Sequence, residues 1–393
     1  MTLAHPLSRR RPTSLLAFGF MFAASAASLS ASVPRDPIVS EPGHLCDRRP
    51  IDLVICLDTS GSMTGLIDSA RARLWDIVTS LSRARPMPSL RVGLLTYGSP
   101  SRSTAAAGWV ARQTDLTSDL DTVYAKMMSL TTVGGDEFVG WVLNDAVEKM
   151  SWSGEPSALR LVFVAGNESA DQASEVFDFR RVAERARARG ITINAIFAGH
   201  RQNGISEHWD QVALHGGGSY SAIDMECGTV QVETPHDKLL LELNMKLNAT
   251  YLPYGAMGEA GRNNQVEQDH AAKELGVASA ASRAEAKATA LYDNAHWDLV
   301  DAVAKSKGRL NEIKKDDLPA AMQPMNETEQ QAFLEQTRIA RAEIQRQIAE
   351  TQTVRGKYLR EARAKAAGGK TALDDAMLDT IRRQAKEKGF EFE

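Results

Sequence analysis

Between residues 51 and 250 two kinds of hydrophobic pattern alternate along the chain. Residues 51–57, IDLVICL, form a near-continuous apolar run of the kind found in strands covered on both faces. Leu66, Ile67, Ala70, Leu74, Ile77, Val78 and Leu81 then recur at helical spacing, and Pro86 and Pro88 end that helix. The alternation continues with strands at 90–97, 159–165, 192–197 and 219–223, an edge strand at 109–114, and helices at 116–130, 138–150 and 176–189. It predicts an α/β fold built on a doubly wound, mainly parallel sheet. Right-handed crossovers then place helices on both faces.

Beyond residue 251 the pattern becomes helical throughout. Residues 265–303 are rich in the good helix formers Ala, Glu, Gln and Lys, and Tyr292, Trp297, Leu299 and Val300 supply anchors for packing on the sheet domain or on a partner. Pro319 and Pro324 interrupt this stretch, and residues 326–329, NETE, read as the start of a new helix. Phe333, Ala340, Ile344 and Ile348 share one of its faces, a pattern that fits a coiled coil or an αα-hairpin and allows self-association through the C-terminal helices. Nine basic and three acidic residues fall within 338–370, expected to be a solvated helix face. A last amphipathic stretch, 373–392, ends in Phe390 and Phe392, an aromatic pair placed to tuck back.

The N-terminus adds a compartment. Arg9, Arg10 and Arg11 precede an apolar run at 15–24 and then small residues, the order of a secretory signal peptide. The run is too short for a membrane span. The expected organisation is a signal peptide at 1–31, a sheet domain at 49–250 and a helical extension at 251–393, in a periplasmic or secreted protein with no membrane span after signal removal. The three cysteines would then meet an oxidising environment, where disulfides persist. Cys56 lies inside the first strand and reads as a small buried hydrophobe. Cys46 and Cys227 are the natural pair, although a parallel sheet puts them at opposite ends. A hydrophobic content of 43%, a charged content of 24% and a net charge of -4 are ordinary for a globular protein and give no basis for nucleic-acid binding.

The chemistry concentrates at residues 53–63, LVICLDTSGSM. Asp58 closes the first strand, and Ser60 and Ser62 follow at alternate positions in a Gly-containing turn. Such oxygens suit a hard cation, Mg²⁺ or else Mn²⁺ or Ca²⁺, which takes one or two carboxylates with hydroxyls and keeps several waters. This D-x-S-x-S pattern, after a hydrophobic strand and before a long amphipathic helix, resembles the metal-ion-dependent adhesion site (MIDAS) of von Willebrand factor type A (VWA) domains. The resemblance covers about half of the chain and implies a VWA, Rossmann-like fold with its site at the carboxyl ends of the strands. It also implies a second loop that supplies a Thr. Here residues 131–137 read TTVGGDE, with Asp136 in the Thr register and Thr131 or Thr132 as substitutes, while Asp136 alternatively caps the next helix. The third loop departs from the family, whose Thr-Asp-Gly is replaced by Ala165-Gly166-Asn167-Glu168. Asn167 and Glu168 could reach the site directly or through water, or form a polar turn. The candidate metal set is therefore Asp58, Ser60, Ser62, Asp136, Thr132 and Glu168.

What the resemblance implies is a protein-binding module for adhesion or assembly, in which the acidic side chain of another protein completes the coordination of the cation. Two alternatives stand beside it. A degenerate site, suggested by the third loop, would leave a metal-independent structural or scaffold protein. A Mg²⁺-dependent phosphohydrolase also keeps an Asp at the end of its first strand, but needs a second carboxylate two residues later, where this chain has Ser60. His200, His208 and His215 lack the company of a zinc pattern, and Gly216-Gly217-Gly218 is not followed by the Lys-Ser or Lys-Thr of a phosphate loop. No catalytic residue is assigned, and enzymatic activity is not expected.

Overall fold

The computed structural model describes residues 48–223, 232–306, 310–365 and 373–392. The proposed signal peptide, Cys46 and Cys227 lie outside these residues. Elements follow in chain order as β1 (Pro50–Asp58), α1 (Thr64–Leu81), β2 (Ala84–Arg85), β3 (Ser89–Tyr97), β4 (Ala111–Thr117), α2 (Leu120–Met128), α3 (Val139–Lys149) and β5 (Leu159–Gly166). Then come α4 (Phe179–Ala188), β6 (Ile191–Ala198), α5 (Arg201–Ser206), α6 (Trp209–Gly216) and β7 (Gly217–Ile223). The helical region comprises α7 (Asp237–Asn248), α8 (Gly258–Leu275), α9 (Val277–Lys287), α10 (Leu299–Lys305), α11 (Glu327–Lys365) and α12 (Leu373–Glu387), and closes with β8 (Glu391–Phe392).

Six strands form the central sheet in the order β4-β3-β1-β5-β6-β7, with only the edge strand β4 antiparallel. β1 lies in the middle, fully buried, so its alternate side chains feed two cores. Ile51, Leu53, Ile55 and Leu57 face α1, α2, α7, α9 and α12, whereas Val54 and Cys56 face α3, α4 and α6. Cys56 is a free, buried thiol, pushed well above its ordinary pKa by burial.

Two helices start later than the hydrophobic spacing predicts, because side chains cap them. The edge strand runs on to Thr117, and Asp119 accepts from Thr122 N at 3.0 Å, so α2 opens at Leu120 rather than at 116. Asp178 likewise accepts from Arg180 N at 2.9 Å and sets the start of α4. At the head of α11, Asn326 Oδ1 accepts from Glu329 N at 3.0 Å while Glu329 Oε2 accepts from Asn326 N at 2.9 Å, a capping box.

The helical region is joined to the sheet by buried ion pairs as well as by apolar contact. Arg283 of α9 donates to Asp121 of α2 at 2.7 Å and to Asp269 of α8 at 2.6 Å, and Lys287 joins Asp269 at 2.8 Å. The basic run on α11 is therefore not only a solvated face. Arg341 and Arg355 are both 4% exposed, the first paired with Asp298 at 2.7 Å and the second with Asp237 at 2.7 Å and Glu285 at 3.3 Å. α12 packs beside α1 directly on the sheet, where Met377, Ile381 and Ala385 enter the same core as β1. Gln384 exchanges amide hydrogen bonds with Asn194 of β6 at 2.8 and 3.1 Å, and Phe390 is buried where β8 pairs with β2. The terminal aromatic pair thus tucks back as its spacing suggested.

Candidate metal centre at the carboxyl end of the sheet

β1 delivers Asp58 fully buried, in register with Tyr97 of β3. The chain turns at once, because Thr59 donates both its N–H and its hydroxyl to Tyr97 O at 2.9 Å. Ser60 N then donates to Asp58 Oδ1 at 2.7 Å, and the Ser60 and Ser62 hydroxyls lie 3.5 Å apart. The second loop is tied to this turn by Val133 N donating to Thr59 O at 3.0 Å and by the Thr132 and Thr64 hydroxyls, 3.1 Å apart. The third is tied by Asn167 Nδ2, which donates to Ser62 Oγ at 3.0 Å. Three loops that are remote in sequence therefore converge on one carboxylate.

Two glycines make room for that carboxylate. A Cβ at Gly98, where φ is +77°, would stand 2.8 Å from Asp58 Oδ1, and one at Gly166 would stand 3.2 Å from Asp58 Oδ2. Any larger residue at either place would push against the oxygens themselves.

Glu137 also enters the site, and sequence reasoning did not single it out. Its side chain is 7% exposed and within hydrogen-bonding reach of Asp58, while its N–H donates to Gln172 Oε1 at 3.1 Å. Burial, the hydrogen bond to Asp58 and the Asp58 charge push its carboxyl up to about 9. Burial raises Asp58 too, against the bonds from Glu137 and Ser60 that favour its ionised form. Glu137 sits beside Asp136 at a loop-to-helix boundary, where no periodicity tells which of two adjacent acids points inward.

Of the six expected residues, Asp58, Ser60, Ser62 and Thr132 belong to the convergent loops. Asp136 is exposed and accepts from Trp109 Nε1 at 3.3 Å on the rim. The Glu168 side chain is exposed, with its backbone carbonyl accepting from Trp209 Nε1 at 2.7 Å, and its charge helps to raise both buried acids.

Whether these residues fit a cation can be judged from oxygens that lack donors. Asp58 Oδ2, Glu137 Oε2 and Asn167 Oδ1 are all buried with no hydrogen-bond partner among the described residues. Buried oxygen acceptors without donors are costly, and a hard cation satisfies several at once. Among the described residues no three or more His, Cys, Asp or Glu side chains group as a metal site, so hydroxyl and amide oxygens would have to share the work.

The order of elements, the mainly parallel six-stranded sheet and the loop cluster at its carboxyl end define a VWA fold with a helical C-terminal region. The sequence model of the von Willebrand factor type A domain matches residues 52–223. Among solved structures, the chain is similar to proximal thread matrix protein 1 from the mussel byssus, in a form with a zinc-occupied MIDAS motif. That match has 15% identity and a TM-score of 0.36, and covers 46% of this chain and 43% of that one. It is also similar to the pilus adhesin SpaC from Lactobacillus rhamnosus GG, at 15% identity and a TM-score of 0.35, over 46% of this chain and 28% of the adhesin. The chain thus spans less than half the length of either protein. No curated protein matches it. No helix among the described residues is long and apolar enough to cross a membrane.

Proposed function

We propose that this chain is an exported protein-binding module, for adhesion or assembly, that engages an acidic side chain of another protein through a divalent cation held at the carboxyl end of its sheet. The buried, donorless oxygens of Asp58, Glu137 and Asn167 support this reading most directly. Asp58, Ser60 and Ser62 would hold the ion, with Thr132, Asn167 and Glu137 completing the protein's share. Asp136 and Glu168 stay exposed beside this set and are assigned no direct bond. Mg²⁺ is the first choice, with Mn²⁺ or Ca²⁺ next, because every candidate ligand is an oxygen. Such an ion supplies an open position for a carboxylate oxygen. The residues around it orient the first ligands, and the glycines at 98 and 166 let the ion's carboxylate sit deep in the sheet.

A second reading has its own observation. The third loop, Ala165-Gly166-Asn167-Glu168, lacks the Asp that the family carries there, and the Asp58–Glu137 pair can satisfy itself by holding a proton between its carboxyls. A chain that keeps that proton would be a metal-independent scaffold.

Calorimetric titration of Mg²⁺ and Mn²⁺ into the metal-stripped protein separates the two, with Asp58→Ala as control. Saturable heat that vanishes in the variant supports the cation-dependent module, and partner capture should then be lost in chelator. At an ion concentration of about 100 times Kd, binding would add about 2.7 kcal/mol of stability. No heat and no stabilisation at millimolar ion sinks that reading in favour of the scaffold.

A further inference from the structure

On the side of α1 away from Thr64, its C-terminal half forms one wall of a half-open polar cavity of about 170 Å³, flanked by α9, α11 and α12. Its lining is unusual in charge, with five arginines against two acids. Both acids are already answered within the walls. Arg73 holds Asp76 at 3.0 Å, and Arg355 holds Glu285 at 3.3 Å. Glu285 is moreover pushed by burial up to about 7, so its charge is partial at neutral pH. Arg83 and Arg360 are in no ion pair among the described residues, and Arg382 reaches Asp379 only at 4.0 Å while its Nε donates to Ser80 Oγ at 3.0 Å. Among the described residues, Arg83, Arg360 and Arg382 thus line the cavity with no carboxylate of their own closer than 4.0 Å.

Unused hydrogen-bonding groups stand in the same walls. Among the described residues, Thr79, 6% exposed in the last turn of α1, leaves its hydroxyl without a partner, and so does Gln352 its side-chain NH₂. A buried polar group without a partner is costly, and two beside one cavity mark a place where a ligand atom belongs. Guanidinium forks, a hydroxyl and an amide N–H are together the donor set for a tetrahedral oxyanion. The volume suits a single such group rather than a drug-sized molecule.

We infer that this cavity binds a small oxyanion, a phosphate or sulfate group carried either as the free ion or on a monoester. The site is independent of the cation centre, sharing only α1 with it. Occupancy would tie α11 and α12 to α1 through one ligand.

The test is titration of inorganic phosphate, inorganic sulfate and glycerol phosphate into the full chain in metal-free buffer, read by calorimetry and by ³¹P line broadening. Saturable binding is expected, about tenfold weaker or worse in the double variant Arg83→Gln/Arg360→Gln, since each removed guanidinium takes a charge-assisted bond with it. Thr79→Val should weaken binding by a smaller factor without altering the charge, and so serves even if the double variant misfolds. Asp58→Ala should leave binding unchanged. Tighter binding of the monoester would point to a larger ligand with a phosphate head, and equal binding to the free ion. The inference is overturned if no saturable binding is seen, if sodium chloride at matched ionic strength reproduces it, or if Thr79→Val and the double variant both bind as wild type does.

Discussion

The two ends of α1 both border buried charge, and they handle it in opposite ways. Where the helical region meets the sheet domain, each acid of the main buried network has a cation. Asp121, Asp269, Asp237 and Asp298 each meet an Arg or Lys at 2.6 to 2.8 Å. At the carboxyl end of the sheet Asp58 and Glu137 meet each other, with the Glu168 charge raising both and no ion pair with a cation among the described residues. Charge that is paired inside the chain serves cohesion. Charge left unpaired must be completed from outside, by a proton or by an ion, and is therefore where binding can be switched.

The sharpest way to test that division is to take one cation from the paired network. Arg283→Met removes the partner of two acids and leaves both buried, and breaking such a pair costs about 3–5 kcal/mol. Urea unfolding should show that loss. A variant as stable as wild type would mean that these ion pairs do not join the helical region to the sheet. Acid should act on the same network, because Lys287 and Arg283, overcoming the burial that opposes ionisation, hold Asp269 well below the usual carboxylate range. A lowered carboxyl contributes stability that is present above its unfolded value and lost as the pH falls below it. Asp269→Asn should make stability less sensitive to pH below about 4.

The opposite sign is expected at the other end. Asp58→Asn removes one of two like charges and supplies an amide donor to Glu137, so the metal-free protein should gain about 1–2 kcal/mol while losing cation binding. Loss of stability in metal-free buffer would mean that Asp58 is held by its local hydrogen bonds rather than strained by its neighbours. An effect of similar size and opposite sign belongs to α12. Gln384→Leu leaves the buried Asn194 amide with one partner fewer, at a cost of about 1–3 kcal/mol in the same unfolding experiment.

That last pair also shows where reading the sequence stops. The strands β1, β3, β5 and β6 and the D-x-S-x-S turn follow from local signals, a continuous apolar run and alternating oxygens, and the strands lie within a residue of where the spacing puts them. The wall that α12 forms against β6 does not, because Gln384 and Asn194 are 190 residues apart and neither carries a local sign of the other. Arg341 and Arg355 look like any surface cations on a basic helix until Asp298 and Asp237 are brought against them. Glu137 was hidden for a different reason. Asp136 and Glu137 differ only in which side of the loop they face, and that is decided by Trp109 on the rim and by the space beside Gly98, both distant in sequence.

Glu137 also gives the finest test of the comparison, because its effect is spread across pH. Its folded pKa, about 9, stands above its ordinary 4.5, so its contribution to stability is complete below the unfolded value and is lost as the pH rises toward 9. Glu285 acts with the same sign but only up to about 7, which leaves pH 7 to 9 as the window for Glu137. Metal-free wild type should therefore lose stability across that window relative to Glu137→Gln, whose neutral amide has no proton to give up. Saturating Mg²⁺ should cancel the difference, since an ion that takes the proton's place is indifferent to its loss. Parallel pH profiles for the two proteins, with and without Mg²⁺, would show that Asp58 and Glu137 do not share a proton. The carboxyl end of the sheet would then be as self-sufficient as the helical region.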